Sequence, residues 1–126
     1  GLLGVSGISG DMRTLRASDQ PSAAEAIALF EQRIVQEVGS LSATMGGLDV
    51  LVFSGGIGEN DAATRLAVCQ RLVYLGLGID TALDRQANGR GVCKISPPAR
   101  RVEVWVLPTD EGSIAAQEAW GLVGVA

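Results

Sequence analysis

The chain has 126 residues, of which 47% are hydrophobic, so it suits one domain, or one lobe of a larger protein, with a substantial core. Its net charge is −4, with Lys94 the only lysine and Arg100-Arg101 the only basic pair, which argues against a nucleic-acid surface. These residues include no histidine and no apolar run of membrane-spanning length, which excludes His-dependent triads, His-based metal sites and His acid–base chemistry within them.

Gly1 to Gly10 is a glycine- and serine-rich approach too broken to read as strand or helix. The chain opens on Gly1, already inside this patterned segment, and reads as a piece of a longer polypeptide. Ser9 can cap a short helical turn over Asp11 to Leu15, with Asp11 against the helix start. Asp11 and Arg13 fit plain first-turn surface charges as well as a site. Ser22 with Glu25 has the capping-box form and opens a long helix. Phe30, Ile34, Val38, Leu41 and Met45 form its apolar stripe, and Gly46-Gly47 ends it.

Leu48 to Ser54 reads as a strand, its Val50-Leu51-Val52-Phe53 run suiting a central parallel strand buried on both faces. It leads into Gly55-Gly56-Ile57-Gly58-Glu59-Asn60, a glycine cluster ahead of a helix from Ala62. Such a strand, loop and helix start presents free N–H groups to an anion, and glycines let a ligand approach the backbone. Chain reversal alone also accounts for glycines at such a turn. Asn60 or Asp61 can cap the following helix, with Leu66, Cys69, Leu72 and Val73 as its apolar positions. Cys69 therefore reads as a buried thiol, and no disulfide with the distant Cys93 is expected. Ile79 to Pro98 is loop-like.

Val102, Val104 and Val106 alternate with Glu103, Trp105 and Leu107 in a second strand that Pro108 ends. Thr109 or Asp110 then caps a last helix reaching about Leu122. Two strands joined by a helical crossover predict parallel pairing in an α/β fold, so the glycine loop and Asp110-Glu111 share one sheet edge. A glycine cradle beside carboxylates suits a nucleotide with Mg²⁺, while plain helix capping also explains Asp110-Glu111. The loop is neither a Walker A sequence nor a dinucleotide fingerprint.

Three ordered segments carry a family likeness: Gly4-Val5-Ser6-Gly7-Ile8-Ser9-Gly10-Asp11-Met12-Arg13, Val52-Phe53-Ser54-Gly55-Gly56-Ile57-Gly58-Glu59-Asn60 and Leu107-Pro108-Thr109-Asp110-Glu111. Together with Arg65 to Asp80 they resemble the acetate kinase (acetokinase, acetate/propionate kinase) family over essentially the whole chain. The resemblance implies a ribonuclease-H-like α/β domain of the actin, Hsp70 and sugar-kinase type, residues 1–126 being the carboxyl-terminal lobe. It implies that Asp11, Met12, Arg13, Gly55, Gly56, Ile57, Gly58, Glu59 and Asn60 hold ATP or ADP, and that Glu111 associates with Mg²⁺. It also implies reversible phosphoryl transfer between ATP and acetate, giving acetyl phosphate and ADP, in a homodimer without nucleic-acid or membrane partners. A cytoplasmic setting is expected. Gly112 stands where a second glutamate is common, Gly10 replaces a serine and Ser54 a threonine. The family's catalytic aspartate, transition-state histidine and acetate-binding arginines have no counterpart in these residues, so the chain alone is expected to bind nucleotide at most weakly and to have no acetate kinase activity.

Overall fold

The Val50–Phe53 run forms β1, and its burial follows from its neighbours on both sides. In a computed structural model, which describes residues 1–109 and the strand Leu122–Val125, β1 pairs in parallel with β3 (Glu103–Val106) and with β4 (Leu122–Val125). A two-residue strand, β2 (Cys93–Lys94), adds antiparallel to the outer edge of β3, giving the order β2-β3-β1-β4. A strand with two partners and helices against the sheet has no wet face, so β1 needs no polar alternation. Val104 and Val106 register with Leu51 and Phe53 and are buried with them. The parallel pairing expected from the sequence is therefore the pairing observed.

Three helices precede β1. The first, α1 (Leu2–Ser6), corrects the reading of Gly1 to Gly10 as irregular; Gly7 ends it at φ 66°, the left-handed conformation that glycine tolerates. Next comes α2 (Met12–Ala17), whose cap is Asp11 and not Ser9: the Asp11 carboxylate accepts the Arg13 N–H at 2.9 Å, while the Ser9 hydroxyl accepts the Asp11 N–H. Third is α3 (Pro21–Met45), which starts with Pro21 at its first position and Gln20 as cap. No capping box forms at Ser22, because proline's fixed φ already sets the helix start one residue earlier.

The α3 stripe differs along its length. Val38 is buried in the sheet cluster, with the half-buried Ile34 and Val35 packed against it, whereas Leu41 and Met45 at the far end are exposed. At the near end Ala23, Ala26 and Ile27 join Met12 and Leu15 in a second cluster, packed by Leu2, Ile8, Phe30 and Ile57. Small alanines there bring α1 and α2 close to α3.

After β1 the glycine run is itself helical: α4 (Gly55–Asn60) is followed at once by α5 (Ala62–Arg71), with Asp61 between them. A 3₁₀ turn (Val73–Leu75) ends on Gly76 at φ 97°. The stretch read as a loop from Ile79 contains α6 (Thr81–Gln86), capped by Asp80, whose carboxylate accepts the N–H groups of Ala82 and Leu83. Six residues are too few for a periodic signal, although the Asp80 cap was readable. The expected last helix, with Asp110 and Glu111, lies outside the described residues; its expected end near Leu122 is instead the start of β4.

Among the described residues a charged pair, Arg65 with Asp84, sits in the core. Arg65 is 0% exposed. Its Nε donates to Asp84 at 2.7 Å, and its terminal nitrogens donate to the carbonyls of Gly58 and Asp84 and to the Asn88 side chain, at 2.6 to 2.9 Å. Burial pushes the Asp84 carboxyl above the usual range, against the opposing pull of Arg65. Replacing Arg65 with methionine leaves that carboxylate uncompensated, and we expect a loss of about 3–5 kcal/mol in urea unfolding. Adding Asp84→Leu to R65M should recover part of it. Cys69 is buried, and burial pushes its thiol well up, whereas Cys93 is half-buried. Native alkylation followed by mass spectrometry should label Cys93 and spare Cys69 until the chain unfolds.

Candidate functional site

Two segments far apart in sequence meet where α2 begins and α4 runs. A cleft of about 630 Å³ is lined by Gly10, Asp11, Met12, Arg13, Gly56, Ile57, Asn60 and Asp61. Met12 and Ile57 both belong to the second cluster, so the two walls share one piece of core beneath the cleft floor. This places six of the residues expected from the sequence around one opening: Asp11, Met12, Arg13, Gly56, Ile57 and Asn60.

Their local roles differ. Asp11 stands at the α2 cap, with its carboxylate 3.2 Å from the Arg13 guanidinium. That neighbour holds the Asp11 carboxyl below the usual range. The Arg13 side chain is 91% exposed, so the ion pair is a loose one at the mouth of the cleft. Met12 is buried and supports the wall from behind. Gly55 adopts φ 81° and needs to be glycine for its backbone. Gly56 has no such need, and a Cβ there would meet nothing within 4 Å. The space above Gly56 is thus open to the cleft. Asn60 donates from its side chain to the Gly56 carbonyl at 2.8 Å, fixing the turn under that space.

Gly58 and Glu59 lie off the cleft. Gly58 is buried and hands its carbonyl to Arg65. Glu59 accepts the Thr109 hydroxyl at 3.0 Å, and its carbonyl accepts the Gly89 N–H. The Thr109 contact brings the carboxyl end of β3 to the glycine turn, as two parallel strands require. Glu111, two residues further on, lies outside the described residues.

Sequence reasoning missed Asp61 as a cleft residue and Arg65 and Arg16 as its supports. Arg16 donates to Asp61 at 3.1 Å and to the Thr64 hydroxyl at 3.0 Å. Asp61 was read only as a cap, and nothing in local spacing pairs it with an arginine on another helix. Among the described residues no group of three or more Asp, Glu or Cys side chains is placed to hold a metal. The cleft carboxylates Asp11 and Asp61 are each engaged by an arginine. This donor set fits a magnesium that arrives on phosphate oxygens, not one held in an all-protein cage. No helix among the described residues is long and apolar enough to cross a membrane.

The chain is similar to known proteins along nearly its whole length. The acetokinase family profile matches residues 1–117. An acetate kinase of Rhodopseudomonas palustris (strain TIE-1) is 52% identical over 122 residues, covering 97% of this chain and 30% of that protein. A propionate kinase of Citrobacter rodentium is 46% identical, covering 94% of this chain and 29% of its own length. The crystal structure of Porphyromonas gingivalis acetate kinase matches with a TM-score of 0.83 at 39% identity, over 94% of this chain and 30% of that one. The chain thus spans about three-tenths of the length of the relatives it matches. The four-stranded sheet and its helices are part of the ribonuclease-H-like α/β fold of these kinases, as the sequence resemblance implied. This chain belongs to the acetokinase family.

Proposed function

We propose that residues 1–126 are the carboxyl-terminal, nucleotide-binding lobe of an acetate kinase, the enzyme that reversibly moves the γ-phosphoryl group of ATP to acetate. The observation that carries this is the cleft in which Asp11-Met12-Arg13 faces Gly56, Ile57 and Asn60. On this reading the open space over Gly56 receives the nucleotide against bare backbone, with the exposed Arg13–Asp11 pair beside it. Gly55 sets the turn. Gly58 and Glu59 act behind it, through Arg65 and Thr109. Magnesium bound to the phosphates supplies charge neutralisation for the transfer, and Glu111 is the residue we assign to it. The full-length protein works as a homodimer in the cytoplasm, built largely through this lobe.

Phosphoryl transfer depends on positioning both substrates and on charge placed around the transferred group. The described residues offer the nucleotide side of that arrangement. The transfer groups and the acyl site belong to the remainder of the protein, and with them the choice among acetate, propionate and butyrate. The similarity to a propionate kinase at 46% identity keeps propionate as the second reading of the acyl substrate.

Calorimetric titration of ATP-Mg²⁺ into the full-length protein tests the assignment. Gly56→Val fills the open space and should abolish the binding heat while leaving thermal unfolding unchanged. Unchanged heat would remove Gly56 from the site, and no heat with the unsubstituted protein would favour a dimerisation domain without nucleotide. Produced alone, residues 1–126 should give no acetyl phosphate in a coupled assay, and any turnover abolished by Glu111→Ala would overturn that expectation.

A further inference from the structure

The glycine turn has little of its own to hold its shape. Helix α4 has 6 residues, with glycine at 55, 56 and 58, and helices so short and so glycine-rich do not persist in water alone. Its closing carbonyls need donors. The Ile57 carbonyl takes the Asp61 N–H at 2.9 Å, within the same turn of chain. The next two are met from elsewhere: the Gly58 carbonyl accepts from Arg65 Nη1 at 2.9 Å, and the Glu59 carbonyl accepts the Gly89 N–H at 3.0 Å. Both donors are set by the turn that closes α6. Arg65 Nη2 donates to the Asn88 side-chain oxygen at 2.7 Å, so an exposed residue reaches inward to a fully buried guanidinium. Gly89 follows at φ 68°, the left-handed conformation that glycine tolerates, with its N–H on α4. A Cβ on Gly89 would stand 3.4 Å from the Asn60 side-chain oxygen, so the two segments abut.

We propose that Asn88 is a positioning residue for nucleotide binding: it holds the Arg65 guanidinium in the orientation that ties down Gly58, while the neighbouring Gly89 ties down Glu59. The inference rests on the nucleotide reading of the glycine turn, and it holds whichever part of the nucleotide meets Gly56. Asn88 acts through Arg65 and needs no contact with the ligand. Without its oxygen a buried Arg65 N–H loses a partner, and an unmet buried donor is costly enough to draw the guanidinium toward a new one. That movement releases the Gly58 carbonyl. Apolar packing restrains the turn little, since α4 contributes only Ile57 to the core clusters of the described residues. A turn that samples displaced arrangements binds its ligand with an affinity reduced by the fraction still in place.

The test follows acetyl phosphate formation by the full-length protein, with thermal unfolding alongside, for Asn88→Ala, Asn88→Asp and Gly91→Ala. N88A should raise the KM for ATP by about three- to tenfold, the factor one lost hydrogen bond represents, and leave the KM for acetate unchanged. N88D keeps an oxygen facing Arg65 and should return the KM for ATP to that of the unsubstituted protein. Gly91 also has a left-handed φ, 82°, but a Cβ there would meet nothing within 4 Å. G91A therefore strains the same loop away from α4, and should lower thermal stability without altering either KM. An unchanged KM for ATP in N88A overturns the proposal, as do an equal rise in both KM values, a fall in kcat alone, or no recovery in N88D. A raised KM for ATP in G91A overturns it too, because any disturbance of the loop would then suffice. No acetyl phosphate from the unsubstituted protein overturns the proposed function first, and this inference with it.

Discussion

A fully buried guanidinium holds the second half of this structure together. Arg65 lies on α5, and its partners lie on α4, on α6 and just beyond α6. Desolvating a guanidinium is costly unless each donor finds a partner, and here the backbone carbonyls of Gly58 and Asp84 complete what the Asp84 and Asn88 side chains begin. These bonds fix where the glycine turn sits relative to the helices that follow it. Hydrophobic contacts alone would leave α4 poorly located, since Gly55-Gly56-Ile57-Gly58 offers only Ile57 to a core. A glycine-rich turn has little side chain to pack, so a polar anchor from below does the locating.

The same turn is held from its other side by α2. Ile57 enters the cluster formed by Met12, Leu15 and the alanine face of α3, so the cleft walls are two surfaces of one packed unit. Above that shared floor, the polar groups are arranged by exposure. Arg13 with Asp11 is open to solvent, where an ion pair is weak and easily exchanged for a ligand. Arg16 with Asp61 is more sheltered, where the pair persists. Burial and not residue type thus separates an exposed pair from a sheltered one.

Most of what bears on the architecture was readable along the chain. The apolar Val50-to-Phe53 run, the alternation at Val102, Val104 and Val106, and the helical crossover between them already implied parallel strands. The site was legible as two motifs, and the parallel sheet explained why the Thr109 region joins them. What escaped was set by tertiary context. Leu122–Val125 is a strand because β1 has an open edge, yet four residues containing a glycine carry almost no strand signal. Nothing in the local pattern marks Arg65 as buried until Asp84 and Gly58 are seen to meet it. Sequence spacing reports which face of a helix is apolar, and cannot report that a charge on that helix has found four partners.

The glycines illustrate the same division at single positions. Gly55 answers to its own backbone, with a left-handed φ that side chains rarely adopt. Gly58 answers to burial, close beneath Arg65. Gly56 answers to neither, since its backbone is unstrained and a side chain there would meet no protein atom. Neither conformation nor packing requires glycine at position 56, so its backbone is left open to the cleft. On the proposed reading the nucleotide lies there, where a Cβ would otherwise project. The loop that drew attention as a single motif therefore divides into a turn former at Gly55, an anchor at Gly58 and an open surface at Gly56.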